Sequence, residues 1–137
     1  MTTPPDTLSA LFEAAVAARE KAYAPYSNFS VGAAILADDG SIHAGCNVEI
    51  ASYPEGWCAE TTAIGRMVSA GRRRIQAVVV VAGGERLTTP CGGCRQRLAE
   101  FAAADVAVHV AGPEGIRAHF TIAELLPAGF TLDETPS

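Results

Sequence analysis

The sequence predicts an α/β fold in which helices cover both faces of a mixed β-sheet. Segments of helical periodicity alternate along the chain with short apolar runs of strand length. The first two of these runs are separated by a turn typical of an antiparallel hairpin. A third run, Ile75 to Val81, is continuously apolar and rich in β-branched residues, as expected of a mid-sheet strand buried on both faces. A hairpin and a helical crossover together imply antiparallel and parallel pairs in one sheet.

The N-terminal part is predicted to form a helix followed by the hairpin. Apolar residues recur at helical spacing from Asp6 to Tyr23, and Asp6 is the expected N-cap. Val31 to Leu36 and Ser41 to Glu49 are the two predicted hairpin strands. Asp39-Gly40 supplies the turn chemistry that joins them.

The rest of the chain alternates between helix and strand. A helix pattern runs from about Cys58 to Ala70, ahead of the mid-sheet strand, and another runs from about Cys91 to Ala104 behind it. Val106 to Val110 is the next predicted strand, and Gly115 to Phe120 is a predicted edge strand. Thr121 then opens a short helix that ends at a proline.

Composition and charge exclude several classes of protein. The 137 residues are 49% hydrophobic and 18% charged, so we expect residues 1–137 to form a single domain. The formal net charge of −5 disfavours binding to the phosphate backbone of a nucleic acid polymer. The longest apolar stretches, such as Val78 to Ala82, are far shorter than the roughly 20 residues of a membrane span. Met1 to Ala10 contains no basic residue and does not resemble a secretory leader, so we expect a cytoplasmic protein.

Three of the four cysteines predict a metal site. Cys91 and Cys94 form a C-x2-C pair at the start of a predicted helix, where the helix dipole stabilises thiolates. Cys58 begins another predicted helix and offers a third sulfur, which would leave one position open on a tetrahedral Zn²⁺. Cys46 lies in a predicted strand, and we expect it to be a small apolar residue rather than a ligand.

Glu60 lies two residues after Cys58, in the first turn of the same predicted helix. A carboxylate there can take a proton from a zinc-activated water and pass it to a substrate nitrogen, which indicates hydrolytic chemistry. Cys58-Ala59-Glu60 together with the segment Pro90 to Cys94 matches the signature of zinc nucleobase deaminases.

Longer stretches resemble the small, homo-oligomeric cytidine deaminases of nucleoside salvage. Beyond the zinc motifs, the resemblance rests on segments 24–34, 45–49, 53–54, 90–96 and 124–127, with Phe130. It implies a three-layer α/β/α sandwich with a mixed five-stranded sheet, one Zn²⁺ per chain and a homotetramer. It also implies hydrolytic deamination of cytidine and deoxycytidine to uridine and deoxyuridine, with release of ammonia.

The resemblance assigns roles to individual residues. Asn47 and Glu49 would hold the ribose 3′-hydroxyl, and Phe29 would pack on the pyrimidine. The backbone of Ala59 would help to hold the base, while Glu60 would shuttle protons and contact the ring N3. Phe130 is expected to close the pocket of a neighbouring subunit.

Some positions depart from the family pattern. Thr61 stands where an arginine commonly offsets the charge of the three thiolates, and Arg95 or extra backbone N–H groups are the candidates to replace it. Ile50, Glu55 and Trp57 are also unusual near the site. These three favour, as an alternative substrate, a modified cytosine nucleoside or a nucleoside antibiotic such as blasticidin S.

Two further readings use the same residues. The three cysteines could instead form a structural zinc site, especially with Cys46 as a fourth ligand, in a zinc-stabilised interaction module without turnover. A polynucleotide editor is disfavoured by the negative charge. The three histidines, His43, His109 and His119, have no spacing that suggests a shared metal, and we expect them to be structural or solvated.

Overall fold

The fold is built on one five-stranded mixed sheet. The structure is a computed structural model that describes residues 2–132. Its elements, in chain order, are α1 (Pro5–Arg19), β1 (Val31–Ala37), β2 (Ile42–Cys46), a 3-10 turn (Tyr53–Glu55), α2 (Ala59–Ser69), β3 (Ile75–Ala82), α3 (Gly92–Phe101), β4 (Ala102–Gly112), β5 (Gly115–Thr121) and α4 (Ile122–Leu125). The strands lie in the order β2-β1-β3-β4-β5, so the apolar strand β3 is central, as predicted.

The pairing directions confirm the mixed sheet. β3 and β4 are parallel and are joined through α3, whereas the β1–β2, β1–β3 and β4–β5 pairs are antiparallel. The hairpin turn contains Gly40 at φ 86°, a left-handed conformation that favours glycine. The Asp39-Gly40 turn and the antiparallel β1–β2 pair are therefore confirmed.

Two apolar clusters place the helices in layers. α1 covers one face of the sheet, where Leu11 and Ala15 pack with Ala34 and Val79. α2, α3 and α4 cover the other face and pack on the alternate residues of the same strands. Because side chains of successive strand residues point to opposite faces, β1 and β3 can supply both cores. This is the three-layer α/β/α arrangement that the sequence predicts.

Several predicted boundaries are corrected. α1 starts at Pro5 with Pro4 as N-cap, so Asp6 lies in the first turn and is not the cap. A proline suits the first helical position because its missing N–H would be unpaired there. α1 also ends at Arg19 rather than near Tyr23, whose backbone pairs with Val48 instead.

The largest boundary error concerns α3 and β4. The predicted helix to Ala104 ends at Phe101, and Ala102 already pairs with Ile75 in the parallel ladder. The alanine-rich segment 102–105 favours helix by propensity, but pairing with the sheet overrides that preference. At the other end of the sheet, β2 stops at Cys46, so Asn47 and Glu49 follow the strand.

Close contact between α2 and the sheet requires a glycine in β2. A Cβ built on Gly45 would lie 2.6 Å from the Ala63 nitrogen and 2.7 Å from the Thr62 Cβ. Those atoms belong to the middle of α2 and cannot move independently of it. Gly45 therefore determines how closely α2, whose first turn carries Glu60, can approach the sheet.

We expect Gly45→Ala to lower the free energy of unfolding by about 2–3 kcal/mol, because the added methyl overpacks against helix backbone. Gly65→Ala is the matched control, since a Cβ at this α2 position meets no atom within 4 Å. That change should raise stability by about 0.5–1 kcal/mol through helix propensity. Denaturant unfolding measures both, and a Gly45→Ala protein as stable as the parent would contradict the role of the close contact.

No helix among residues 2–132 combines the length and hydropathy needed to cross a bilayer.

Candidate metal centre and active site

Three cysteine sulfurs converge where two helices begin. Cys58 is the N-cap of α2, Cys91 is the N-cap of α3, and Cys94 lies in the first turn of α3. Their Sγ atoms all lie within 4.8 Å of one another, and the Cys58 and Cys91 sulfurs are 3.8 Å apart. Among residues 2–132 this is the one group of three or more potential ligands that lie close enough to share an ion. Cys46 is not part of it.

The donor set fits Zn²⁺. Zinc–thiolate bonds of about 2.3 Å in a tetrahedron place neighbouring sulfurs about 3.8 Å apart, the separation that Cys58 and Cys91 already have. Three soft thiolates are typical zinc donors and leave one tetrahedral position for water or substrate. The three predicted ligands are thus assembled, and the open position favours a catalytic over a closed structural site.

The thiols differ in acidity. Hydrogen bonds from Cys94 and Cys91, together with the positive charge of Arg97, lower the pKa of Cys58 to about 6. The pKa of Cys94 is raised, because its hydrogen bond to Cys58 and its burial both favour the neutral thiol. Cys58 accordingly ionises more readily than Cys94, and a metal cation would be needed to hold all three as thiolates.

Glu60 is a buried carboxyl beside this cluster. Its side chain is 4% exposed and lies in the first turn of α2. Burial raises the pKa of Glu60 to about 7, and the negative charge of Cys58 adds to the effect. A carboxyl with a pKa near neutrality can both accept and return a proton, as general acid–base catalysis requires.

A cavity of about 290 Å³ joins the metal centre to the rest of the predicted site. Seven of the nine predicted site residues line it: Phe29, Asn47, Glu49, Cys58, Ala59, Glu60 and Cys91. Cys94 is fully buried behind it. The cavity also has walls that the sequence analysis did not assign: Ser27, Val31, Val80, Thr88 and Thr89. Thr88 and Thr89 lie just ahead of the C-x2-C motif in the sequence, and this proximity could have predicted that they line the cavity.

Asn47 and Glu49 bind the loop that carries Phe29. The Asn47 amide accepts from the Val31 N–H at 2.9 Å and donates to the Phe29 carbonyl at 2.8 Å. Glu49 accepts from the Tyr26 and Ser27 N–H groups at 3.0 and 3.1 Å and from the Ser27 hydroxyl, which holds the pKa of Glu49 below its usual range. Both side chains therefore fix one wall of the cavity, a role that the strand spacing alone did not indicate.

Phe130 lies outside this cavity. Its side chain is 68% exposed, and its carbonyl accepts a hydrogen bond from Gln96 at 2.9 Å. Within one chain the structure thus does not bring Phe130 to the other predicted site residues.

The unusual residues near the site line a neighbouring groove. Ile50 and Trp57 share this groove of about 220 Å³ with Asn47, Glu49 and Cys58. Trp57 is 60% exposed. Glu55 belongs to the exposed 3-10 turn that precedes the groove.

Thr61 itself contacts a ligand sulfur. Its hydroxyl lies 3.8 Å from the Cys94 Sγ and can donate to the thiolate. Arg95, the candidate replacement for a family arginine, directs its guanidinium to the Pro90 carbonyl, the Thr89 hydroxyl and the Leu125 carbonyl. The expectation that Arg95 offsets the thiolate charge is therefore wrong. Thr61 makes the contact with sulfur, and Arg95 connects the loop at Thr89 and Pro90 to α4.

We expect Thr61→Val to release zinc to a chelator about tenfold faster, because a hydrogen bond to a charged group is lost, equivalent to ~1.4 kcal/mol. Thr61→Ser keeps the hydroxyl and should release zinc at the parent rate. A colorimetric chelator assay measures both rates. Equal release from the valine and serine variants would show that the hydroxyl does not stabilise the bound metal.

Zinc-dependent deamination of a base is the chemistry that such a centre suits, since it combines an open metal position with a carboxyl able to move protons. Comparisons with known proteins agree. Residues 5–110 match the family model described as the cytidine and deoxycytidylate deaminase zinc-binding region.

Named relatives cover most of the chain. A cytidine deaminase from Halalkalibacterium halodurans is 47% identical over 124 residues, which are 90% of this chain and 94% of the relative. The crystal structure of cytidine deaminase from Burkholderia pseudomallei superposes with a TM-score of 0.84 at 44% identity, covering 95% of this chain and all of that one. The cytidine deaminase structure from Mycobacterium tuberculosis gives a TM-score of 0.78 at 39% identity, over 90% and 97% of the two chains.

The chain belongs to the cytidine deaminase family. The expected enzyme class, hydrolase, and the expected fold are both confirmed by these relatives.

Proposed function

We propose that this enzyme deaminates cytidine and deoxycytidine to uridine and deoxyuridine, with release of ammonia, in pyrimidine salvage. The observation that supports this most directly is the single cavity in which a three-thiol centre, Glu60 and the Phe29 ring meet. Relatives covering most of the chain are named cytidine deaminases.

The reaction needs a nucleophile and a proton carrier. Cys58, Cys91 and Cys94 would hold one Zn²⁺ per chain, which when bound supplies the Lewis acidity that activates water at neutral pH. Glu60 takes a proton from the attacking water and delivers it to the ring N3. The water oxygen bonds to C4 as N3 is protonated. Glu60 then takes the second proton from the new C4 hydroxyl and passes it to the exocyclic amine, so that the C4–N bond breaks, ammonia leaves and a C4 carbonyl remains.

The remaining cavity residues position the nucleoside. Phe29 offers a ring face on which the pyrimidine can pack, and the base would accept from the backbone N–H of Ala59, the first residue of α2, where the helix itself supplies no acceptor. Asn47 and Glu49 hold the ribose 3′-hydroxyl while keeping their bonds to the Phe29 loop. An acceptor-only carboxylate suits a hydroxyl partner and opposes a phosphate there, which favours a free nucleoside over a polynucleotide.

The working unit is proposed to be a homotetramer of single-domain chains, residues 1–137. Two large aromatic side chains are exposed: Trp57, at 60%, beside the site, and Phe130, at 68%, away from the cavity of its own chain. Burial of such side chains against further copies is consistent with Phe130 closing a neighbouring pocket. Three thiol ligands need a reducing compartment, which supports a cytoplasmic location.

A second candidate substrate class has its own observation. The groove that contains Ile50 and Trp57 adjoins the cavity through Asn47, Glu49 and Cys58. A modified cytosine nucleoside, or an antibiotic of the blasticidin S type, could place its extra group there.

We expect Glu60→Gln to lower the deamination rate at least about 100-fold while zinc content stays at one per chain, because the proton carrier is lost and no ligand is. Ultraviolet absorbance of cytidine follows the rate, and metal analysis of the same sample measures zinc. Glu13→Gln, an exposed change on α1 at the opposite face, is the control. Two results would contradict the proposal. One is a zinc-loaded parent enzyme that does not deaminate cytidine. The other is a Glu60→Gln variant whose deamination rate lies within tenfold of the parent rate.

Comparison of kcat/KM separates the two substrate classes. We expect cytidine and deoxycytidine to be preferred, since the Asn47 and Glu49 pair suits an ordinary ribose. A 100-fold preference for a non-nucleoside cytosine analogue would instead assign the enzyme to the second class.

Sedimentation equilibrium tests the assembly. We expect four chains per particle, and we expect Phe130→Ala to raise KM for cytidine because it opens a neighbouring pocket. A monomeric parent enzyme with full activity would contradict both expectations.

A further inference from the structure

Two histidines far apart in the sequence face each other at the edge of the sheet. His109 of β4 and His119 of the edge strand β5 are directly opposed in the antiparallel register. Their Nδ1 atoms are 2.5 Å apart, and the rings meet edge to face at 88°. The spacing of ten residues concealed this pair in the sequence, since only the strand register brings the rings together.

The surroundings of His109 leave one nitrogen facing its partner. The Nε2 of His109 lies 2.8 Å from the Thr3 hydroxyl, which can accept its N–H. That bond would fix the tautomer with an unprotonated Nδ1 directed at His119, the arrangement of histidines that ligate metals. Burial, with a smaller contribution from His119, lowers the pKa of His109 to about 4, so protons do not compete for this nitrogen at neutral pH.

The pair also has room for a ligand. Both histidines line a cavity of about 360 Å³ whose walls also include Thr3 and Glu124. His109 is 4% exposed, whereas His119 is exposed, so an ion can enter from the side of the edge strand. This cavity includes Leu8, which packs on the α1 face of the sheet, opposite the face of the thiol centre.

We propose that His109 and His119 form a second metal site, which takes a divalent transition-metal cation through the two Nδ1 atoms. Imidazole suits Ni²⁺, Cu²⁺ and Zn²⁺, with metal–nitrogen bonds of about 2.0–2.1 Å. Two such bonds to one ion place the nitrogens about 2.9–3.4 Å apart, so the rings need to separate by less than about 1 Å. Water in the cavity completes the coordination, while the Glu124 carboxylate stays bonded to the Thr121 N–H as the cap of α4. The bound ion would join the N-terminal segment, β4 and the edge strand β5.

Nickel binding to untagged, zinc-loaded enzyme tests this site by calorimetry. We expect one Ni²⁺ per chain with parent protein, and at least tenfold weaker binding with His119→Gln and His109→Gln. His119 is exposed, so its variant should fold even if the buried His109 variant does not. His43→Gln is the matched control, since His43 is the one other histidine in the chain, and it should bind nickel as the parent does.

Zinc content is measured before and after the titration, which separates new binding from exchange at the thiols. Absence of nickel binding by parent protein would overturn the proposal and leave an N–H···N hydrogen bond between the rings. Equal affinity of the His119→Gln and parent proteins would also overturn it. Either result leaves the deaminase proposal untouched, because the histidines take no part in that reaction.

Discussion

The convergence of two helix N-termini is the constraint on which the site depends. α2 leads into β3 and α3 leads out of it, so both helices run opposite to the central strand. Their first turns therefore meet at the carboxyl end of β3, with unpaired N–H groups and positive dipole ends directed at one point. Thiolates at the N-cap positions of Cys58 and Cys91 are stabilised by these dipole ends, and Arg97 adds its positive charge at Cys58. Small residues of β2 and β1, such as Gly45 and Ala33, let α2 approach the sheet closely enough for Glu60 to be buried.

Charge at this point is balanced by weak, distributed contacts. Three thiolates on one divalent cation leave a net negative charge, in a chain whose own net charge is −5. The Thr61 hydroxyl, the charge of Arg97 and the two helix dipoles each oppose part of it. A hydroxyl donor leaves more charge on sulfur than a guanidinium would, which makes the metal a weaker Lewis acid and its ligands better electron donors. Glu60, in turn, is buried in a more negative surrounding, in keeping with its raised pKa.

Much of the fold and of the metal centre follows from local sequence signals. β-branched runs placed β3 in the middle of the sheet, and the Asp39-Gly40 turn specified the hairpin, because both effects act within a few residues. The cysteine spacings worked for the same reason, since each cysteine needs only its own helix start. The end of α3 was missed because the strand pairing of Ala102 with Ile75 is a long-range interaction. The bonds of Asn47 to the Phe29 loop and the opposition of His109 and His119 were missed on the same ground: each depends on register between distant segments.

Two successive residues of α3 hold the C-terminal segment. Arg95 donates to the carbonyl of Leu125, and Gln96 donates to the carbonyl of Phe130. The same helix supplies Cys91 and Cys94, so the metal-binding turn and the C-terminal tail share one rigid support. A C-terminal segment taken from a relative would therefore keep these hydrogen bonds only if α3 came from the same relative. The two segments, separated in sequence by β4 and β5, form one hydrogen-bonded unit.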